Sequence, residues 1–281
     1  MMLFHYPFML PALCICLILA GIHTYFGYHI VERGVIFVDL SLSQIAALGA
    51  SVAILLGWGE DAPFLTFCMS LGFTLGGAVL FAFLRKSQNT APMEALIGIS
   101  YAGAIALSLL VLEKSATGTE HIKEMLVGTI LTVPWKDVIQ LGLIVLVVGI
   151  IHWFSRKRLF LISENPDKAA QEKLKLWWWD VVFYATFGIV VTSSVKVAGV
   201  LLIFSLLIIP AVTALISVAG TFRRVVFGWI FGIIGCALGL EVSLRGDFAA
   251  GPSIIATLLT LLLICAGIVP IVKKVISFRN K

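Results

Sequence analysis

Long apolar segments separated by short polar ones dominate this chain. Nine such segments lie at roughly 8–28, 35–57, 63–84, 94–112, 135–154, 178–195, 197–217, 225–243 and 253–275. An α-helix needs roughly 20 apolar residues to cross the hydrocarbon core of a bilayer. The pattern therefore predicts an all-α, polytopic membrane protein with nine transmembrane helices.

One of the nine segments and one additional apolar stretch are harder to assign. The second segment contains Asp39, Ser41, Ser43 and Gln44 close together. If it does not cross the membrane, the count of spans becomes eight. A shorter apolar stretch at 125–133 is too short to span, which leaves a re-entrant segment or a loop helix as its interpretation.

Composition narrows the class of protein. The chain has 281 residues, of which 60% are apolar and 12% are charged, whereas an average soluble domain is about 45–50% apolar and about 25% charged. This excess argues against a soluble enzyme, a disordered chain and a coiled coil. We expect one transmembrane domain over residues 1–281 that is in contact with lipid and binds no nucleic acid. The net charge of +5 is typical of a basic cytoplasmic membrane face.

The basic residues predict the orientation of the chain. They follow the third, fifth and seventh segments and close the chain: Arg85, Lys86, Arg156, Lys157, Arg158, Lys168, Lys173, Lys175, Arg223, Arg224, Lys273, Lys274, Arg279 and Lys281. Nine spans bring all these groups to one side, and the intervening loops are acidic or mixed. Because basic loops stay in the cytoplasm, we expect a cytoplasmic C-terminus and an external N-terminus.

Few charged residues lie within the apolar segments, where each costs roughly 2.5–3.5 kcal/mol on insertion scales. Four of them lie near predicted membrane ends and are interpreted as interfacial: Glu94, Asp180, Lys196 and Glu241. Asp39 lies in the second segment, six residues after Arg33. A transport role and an interfacial position are both open for Asp39.

A second candidate metal site lies in a predicted external loop. His121 and Glu124 are three residues apart and share a face if this loop is helical. Such a pair could bind an incoming divalent metal. However, the polar composition of this loop favours an ordinary solvated loop. The five cysteines lie in apolar runs without a CxxC pair, which is typical of small apolar side chains.

Glycines recur at helical spacing in two segments. Gly72 and Gly76 form one pair, and Gly228, Gly232, Gly235 and Gly239 form a longer series. Small residues at this spacing allow helix backbones to approach each other in lipid. Helix packing is the favoured interpretation, and sliding helices of a transporter are the alternative.

Motifs of catalysis and nucleotide binding do not occur in the sequence. It contains no HExxH, no GxSxG and no GxxxxGK[ST], so the zinc pair of a metalloprotease, a nucleophile elbow and a P-loop are all missing. We therefore expect a transport subunit and not an enzyme. If transport is driven by ATP, another subunit must bind the ATP.

Five stretches, taken in order, resemble the permease subunits of bacterial manganese, zinc and iron ABC importers, the ABC-3 family. They are Arg33–Gly49, Glu94–Ile99, Glu164–Ala170, Val195–Ala214 and Asp247–Gly251. Each stretch alone is weak, and the ordered set is fairly specific. The resemblance covers the chain from about residue 30 to its end.

The resemblance implies a homodimeric permease of the type II importer kind, similar in fold to the vitamin B12 importer, in the bacterial cytoplasmic membrane. A metal-binding protein outside the membrane would deliver the metal, and two cytoplasmic ABC ATPase subunits would drive transport. The loop at 156–177 would be the coupling element. Its implied coupling residues are Glu164, Asn165, Pro166, Asp167, Ala169 and Ala170.

One departure from the family concerns the metal path. The family typically carries Gly-Asp-x-x-Ser-His in the second segment, and ungapped alignment puts its Asp on Leu40 and its His on Gln44. Asp39 is one position early and points about 140° away from Gln44 on a helix. Glutamine is also a poorer ligand than imidazole for borderline metals.

Three explanations of this departure remain. The site is rebuilt from oxygen donors in the second segment (Asp39, Ser41, Ser43 and Gln44), the substrate differs from the usual one, or the metal passes without a tight inner site. We expect the membrane subunit of an ATP-driven importer for a divalent transition metal, either zinc or manganese, with iron as a further candidate. A stand-alone secondary transporter or channel is the alternative, and a membrane enzyme ranks third.

Overall fold

The computed structural model describes residues 9–59, 61–86, 91–113, 128 and 130–279, with side chains as far as residue 268. Within these described residues, the regular secondary structure consists of helices, and no strand is assigned. The α-helices are α1 (Met9–Arg33), α2 (Val38–Leu55), α3 (Pro63–Lys86), α4 (Met93–Leu112), α5 (Trp135–Glu164), α6 (Pro166–Gln171), α7 (Leu176–Ala198), α8 (Val200–Ser217), α9 (Thr221–Gly246) and α10 (Ala250–Arg279).

The expectation of nine membrane-spanning helices is confirmed within the described residues. Every helix except α6 is long and apolar enough to cross a bilayer. The second segment, whose crossing was in question, forms the continuous 18-residue helix α2. The polar residues in this segment therefore do not interrupt the helix.

One helix is longer than the hydrophobic pattern predicts. Helix α5 continues to Glu164, ten residues past the predicted end of the apolar segment at 154. The basic residues in the extension are good helix formers, and their long side chains carry the charge into water. Arg156, for example, lies over the ring of Trp153 at 4.0 Å. The predicted coupling loop therefore begins as helix.

The stretch at 125–133 lies largely outside the described residues. Its described part contains a 3-10 turn at Ile130–Thr132, with Ile130 buried. This turn packs against α1 and α10. The choice between a re-entrant segment and a loop helix remains an expectation for the rest of the stretch.

Helices α1 and α7 form the centre of the bundle. Helix α1 packs against α5, α8 and α9, whereas α7 packs mainly against α3 and α5. Helix α2 lies between α3 and α4. More than half of the apolar stretch of α1, α2 and α7 is buried, compared with 22% for α4, α5 and α10. Helices α1, α2 and α7 are thus largely enclosed by protein.

Hydroxyl groups inside the bundle bond mainly to their own helices. Thr74 donates to the carbonyl of Ser70 at 2.8 Å, and Ser205 donates to the carbonyl of Leu201 at 2.8 Å. This i to i−4 bonding satisfies a hydroxyl group where water is absent. Thr74 also pairs with the Thr192 hydroxyl at 2.9 Å, which links α3 to α7.

Glycines permit the closest helix crossings. A methyl group at Gly27 would overlap the backbone carbonyl of Leu207 in α8, and one at Gly239 would lie 2.5 Å from the Cα of Ile254 in α10. The glycine series of α9 thus packs as expected. A methyl group at Gly72 or Gly76 meets nothing within 4 Å, so this pair makes no such crossing within the described chain.

We predict that Gly27→Ala destabilises the protein by about 1–3 kcal/mol, because the added methyl group forces α1 away from α8. Gly21→Ala in the same helix is the matched control, since nothing lies within 4 Å of its added methyl group. Thermal unfolding of both variants in detergent micelles measures the difference. Equal melting temperatures for the two variants would show that this crossing does not limit stability.

Candidate functional site

An acidic face of α2 is turned into the protein. Asp39 and Ser43 are one helical turn apart, so they share a face of the helix. Both residues are fully buried. Neither the carboxylate oxygens of Asp39 nor the hydroxyl of Ser43 bonds to another described residue. The sequence-predicted pair is therefore brought together in an enclosed position.

The other two candidate ligands in α2, Ser41 and Gln44, point elsewhere. Ser41 is buried and has no hydrogen-bond partner in the described part of the chain. Gln44 is only partly buried, as are Leu40 and Leu48, which lie one turn before and after it. The rotation of the helix thus separates Gln44 from Asp39 and directs it towards the outer surface of α2.

Asp39 lies in the first turn of α2. An unpaired buried carboxylate is energetically unfavourable, and an ionisable residue enclosed in a membrane protein usually marks a functional position. A proton or a cation on Asp39 would remove this penalty. The donors on this face are carboxylate and hydroxyl oxygens, which suit hard divalent cations better than soft ones. No group of three or more His, Cys, Asp or Glu side chains among the described residues could hold a metal ion. Any cation at Asp39 would therefore need further oxygen ligands such as hydroxyls or water.

The second predicted metal pair, His121 and Glu124, lies outside the described residues. Its role remains a prediction.

The predicted coupling residues form a compact corner after α5. The side chain of Asn165 accepts a hydrogen bond from the backbone N–H of Lys168 at 3.0 Å, which caps the start of α6. Pro166 occupies the first turn, where its missing N–H is harmless. Ala169 is fully buried, whereas Asp167 and Ala170 are exposed. The corner is therefore held by its cap and by one buried side chain.

A buried ion triad lies at the end of the bundle where α1, α3 and α5 end and α7 begins, hereafter the α6 end. Asp180 Oδ1 accepts from Arg33 at 2.8 Å and from Arg85 at 2.5 Å. The side chain of Arg33 is fully buried, and that of Asp180 is 5% exposed. The guanidinium of Arg33 also lies 3.9 Å from the centre of the Phe183 ring, a favourable cation–π contact.

The interpretation of Asp180 as an interfacial residue was therefore wrong: it is the buried anion of this triad. The sequence places two cations, Arg33 and Arg85, and one anion, Asp180, at the same end of three predicted spans. These charges indicate the orientation of the chain, but the sequence alone did not show that they pair.

Two buried histidines extend the polar contacts along α1. His29 Nδ1 lies 2.9 Å from the hydroxyl of Ser163 in α5. His152 in α5 contacts the Tyr25 hydroxyl at 3.1 Å and the Thr186 hydroxyl at 2.8 Å. These contacts join α1, α5 and α7. Sequence reasoning missed them because the partners lie far apart along the chain.

The remaining interfacial candidates are Glu94, Glu241 and Lys196. The carboxylate of Glu94 accepts from the backbone N–H of Ile36 at 2.5 Å, which fastens the start of α4 to the turn between α1 and α2. Glu241 pairs with Arg245 one turn later at 2.8 Å. Lys196 is exposed and lines a cavity of about 270 Å³ between α3, α5 and α7. For Glu241 and Lys196, an interfacial position remains the interpretation.

Comparison with known proteins gives matches over nearly the whole chain. The sequence profile of the ABC 3 transport family matches residues 5–269. A probable iron transport system membrane protein of Haemophilus influenzae is 23% identical over 94% of this chain and 90% of its own length. The manganese import system permease protein ScaB of Streptococcus gordonii is 25% identical over 94% and 92%. The high-affinity zinc uptake system membrane protein ZnuB of H. influenzae is 26% identical over 89% and 93%.

Two solved structures have the same fold. PsaBC from Streptococcus pneumoniae, in complex with Fab, matches with a TM-score of 0.78 and 22% identity over 94% of this chain and 92% of that one. An inward-facing metal-chelate type ABC transporter matches with a TM-score of 0.66 and 19% identity over 91% and 85%. The bundle of this chain is thus a known architecture.

We predict that Asp180→Asn destabilises the fold by about 3–5 kcal/mol, because the two arginines would face each other without their buried counter-ion. Glu172→Gln, which neutralises an exposed acid, is the control. Thermal unfolding in detergent micelles measures both variants. Similar melting temperatures for the two variants would contradict a structural role for the triad.

Proposed function

Because the chain belongs to the ABC-3 transport family, we propose that it is the permease subunit of an ATP-driven importer for a divalent transition metal. The match of the family over residues 5–269 carries this proposal. It is supported by nine helices in the described chain that are long and apolar enough to span a membrane. The relatives are named as iron, manganese and zinc transport proteins.

The energy source lies outside this chain. The sequence contains no P-loop motif, so the nucleotide must be bound by partner subunits. We propose two cytoplasmic ABC ATPase subunits on a homodimer of this chain. A metal-binding protein outside the membrane delivers the substrate to the opposite face. The complex lies in the bacterial cytoplasmic membrane.

The ATPase binds at the α6 end. This end carries the strongly basic loops of the chain, with residues such as Arg85, Lys168 and Arg224, and basic segments favour the cytoplasm. Helix α6, Pro166–Gln171, is the docking helix in this proposal. Its exposed residues Asp167, Lys168 and Ala170 are available to a partner, while Asn165 and buried Ala169 fix its position.

The substrate cation passes along α2. The fully buried Asp39 supplies the negative charge, and Ser43 on the same face supplies a further oxygen. Gln44 is only partly buried and lies on the outer surface of α2, away from this face. Because all these donors are oxygens, they favour Mn²⁺ over Zn²⁺. The histidine that the family typically carries at position 44 is replaced here by Gln44.

Transport by the permease–ATPase complex in proteoliposomes tests the function. We expect Mn²⁺ uptake that requires ATP hydrolysis and the metal-binding protein. Uptake that continues without ATP hydrolysis would contradict the proposal and indicate a stand-alone secondary transporter or channel.

A substitution tests the role of α2. We expect Asp39→Asn to lower Mn²⁺ uptake at least about tenfold, because a neutral amide no longer offsets the charge of the ion. Asp137→Asn is the control, since Asp137 lies in the first turn of α5, away from α2. Mn²⁺ uptake at the control rate in Asp39→Asn would remove Asp39 from the cation path. Loss of uptake in both variants would likewise argue against a specific role.

A further inference from the structure

The last two residues of α5 each bond to other helices. The carboxylate of Glu164 accepts a hydrogen bond from the Tyr28 hydroxyl in α1 and another from the Thr221 hydroxyl in α9, both at 2.6 Å. Hydrogen bonds to a charged acceptor are stronger than those between neutral groups. Glu164 therefore ties the end of α5 to the end of α1 and to the start of α9.

Ser163 makes the corresponding contacts inside the protein. Its hydroxyl accepts from Arg33 Nε at 2.8 Å and lies 2.9 Å from His29 Nδ1. The side chain of Ser163 is buried. Arg33 continues to Asp180, which also holds Arg85. Ser163 thus connects α5 to α1 and, through the ion triad, to α7 and α3.

Only Asn165 separates Ser163 and Glu164 from the docking helix α6. Asn165 is both the C-cap residue of α5 and the N-cap residue of α6. The far end of α6 is closed by backbone hydrogen bonds from Lys173 to Ala170 and from Leu174 to Ala169. A helix attached in this way has no flexible linker at its start. A displacement of α6 must therefore move the end of α5.

We propose that Ser163 and Glu164 are positioning residues that transmit movement of the docking helix to α1 and α9 and, through Arg33 and Asp180, to α7 and α3. The proposal rests on the proposed function. It assigns the transmission to specific polar contacts at the α6 end and not to the docking surface itself. Tyr28 and Thr221 become part of the coupling machinery although neither lies in the docking helix.

Hydrogen bonds and ion pairs are directional, so they hold helix ends at fixed angles, whereas apolar contacts are non-directional. A buried ion pair is often no more stabilising than apolar residues of similar volume. The buried charges at the α6 end are thus better explained by the fixed geometry they impose than by stability alone.

The test removes the contacts and leaves the docking helix unchanged. The double variant Tyr28→Phe with Thr221→Val loses both donors to Glu164 and differs from the native chain by two hydroxyl groups. The matched control is Tyr101→Phe with Thr260→Val. The Tyr101 hydroxyl makes no hydrogen bond to another described residue, and Thr260 bonds only to Ala256 of its own helix.

The readout is the number of metal ions transported per ATP hydrolysed by the reconstituted complex. We expect the ratio to fall about threefold or more in the double variant, as two hydrogen bonds to a charged group are lost, and to stay at the native value in the control. A native ratio in the double variant overturns the inference. This holds whether the rates of metal transport and ATP hydrolysis both stay at the native value or both fall together. An equal fall in the control also overturns it.

A second measurement separates this inference from the proposed function. Hydrogen exchange is compared with and without nucleotide in the native permease–ATPase complex. We expect exchange to change together in α6, at the end of α1 and at the start of α9, and this concerted change to be lost in the double variant. A native complex that hydrolyses ATP without moving metal would contradict the proposed function alone. A nucleotide-dependent change confined to α6 would overturn the inference alone.

Discussion

The carboxylate of Asp180 holds two arginines inside the protein, and the arrangement of the helix ends depends on it. Arg33 and Arg85 come from the ends of α1 and α3, and both meet Asp180 near the start of α7. Charges removed from water need partners within hydrogen-bond distance. The three helices therefore have one favourable alignment at the α6 end. The neighbouring contacts of Ser163 and Glu164 extend this alignment to α5 and α9.

Two groups of buried polar residues differ in physical character, although Asp39 in the first turn of α2 lies close along the chain to Arg33 of the triad. At the α6 end, directional polar contacts join helix ends, and a short capped helix projects from them. Along α2, Asp39 and Ser43 are equally buried but have no hydrogen-bond partners among the described residues. The first region is suited to transmitting movement, and the second is suited to receiving a cation. The proposed function requires both properties.

The sequence allowed prediction of the nine spans because the apolar length of each segment matches a bilayer. The angular separation of Asp39 and Gln44 also followed from helix geometry. Two features could not be predicted. Helix α5 extends through Arg156 to Glu164 because charge does not end a helix. The partners of Asp180 lie 147 and 95 positions away along the chain, and a single sequence does not show which distant charges meet.

We expect α6 and the adjoining helix ends to move as one body. Spin labels at the exposed positions Lys168 in α6 and Phe222 at the start of α9 would measure it directly by electron–electron double resonance in the complete complex. Movement as one body predicts the same Lys168–Phe222 distance with and without nucleotide, while the distance between the Lys168 residues of the two copies changes. A Lys168–Phe222 distance that changes as much as the distance between copies would contradict it.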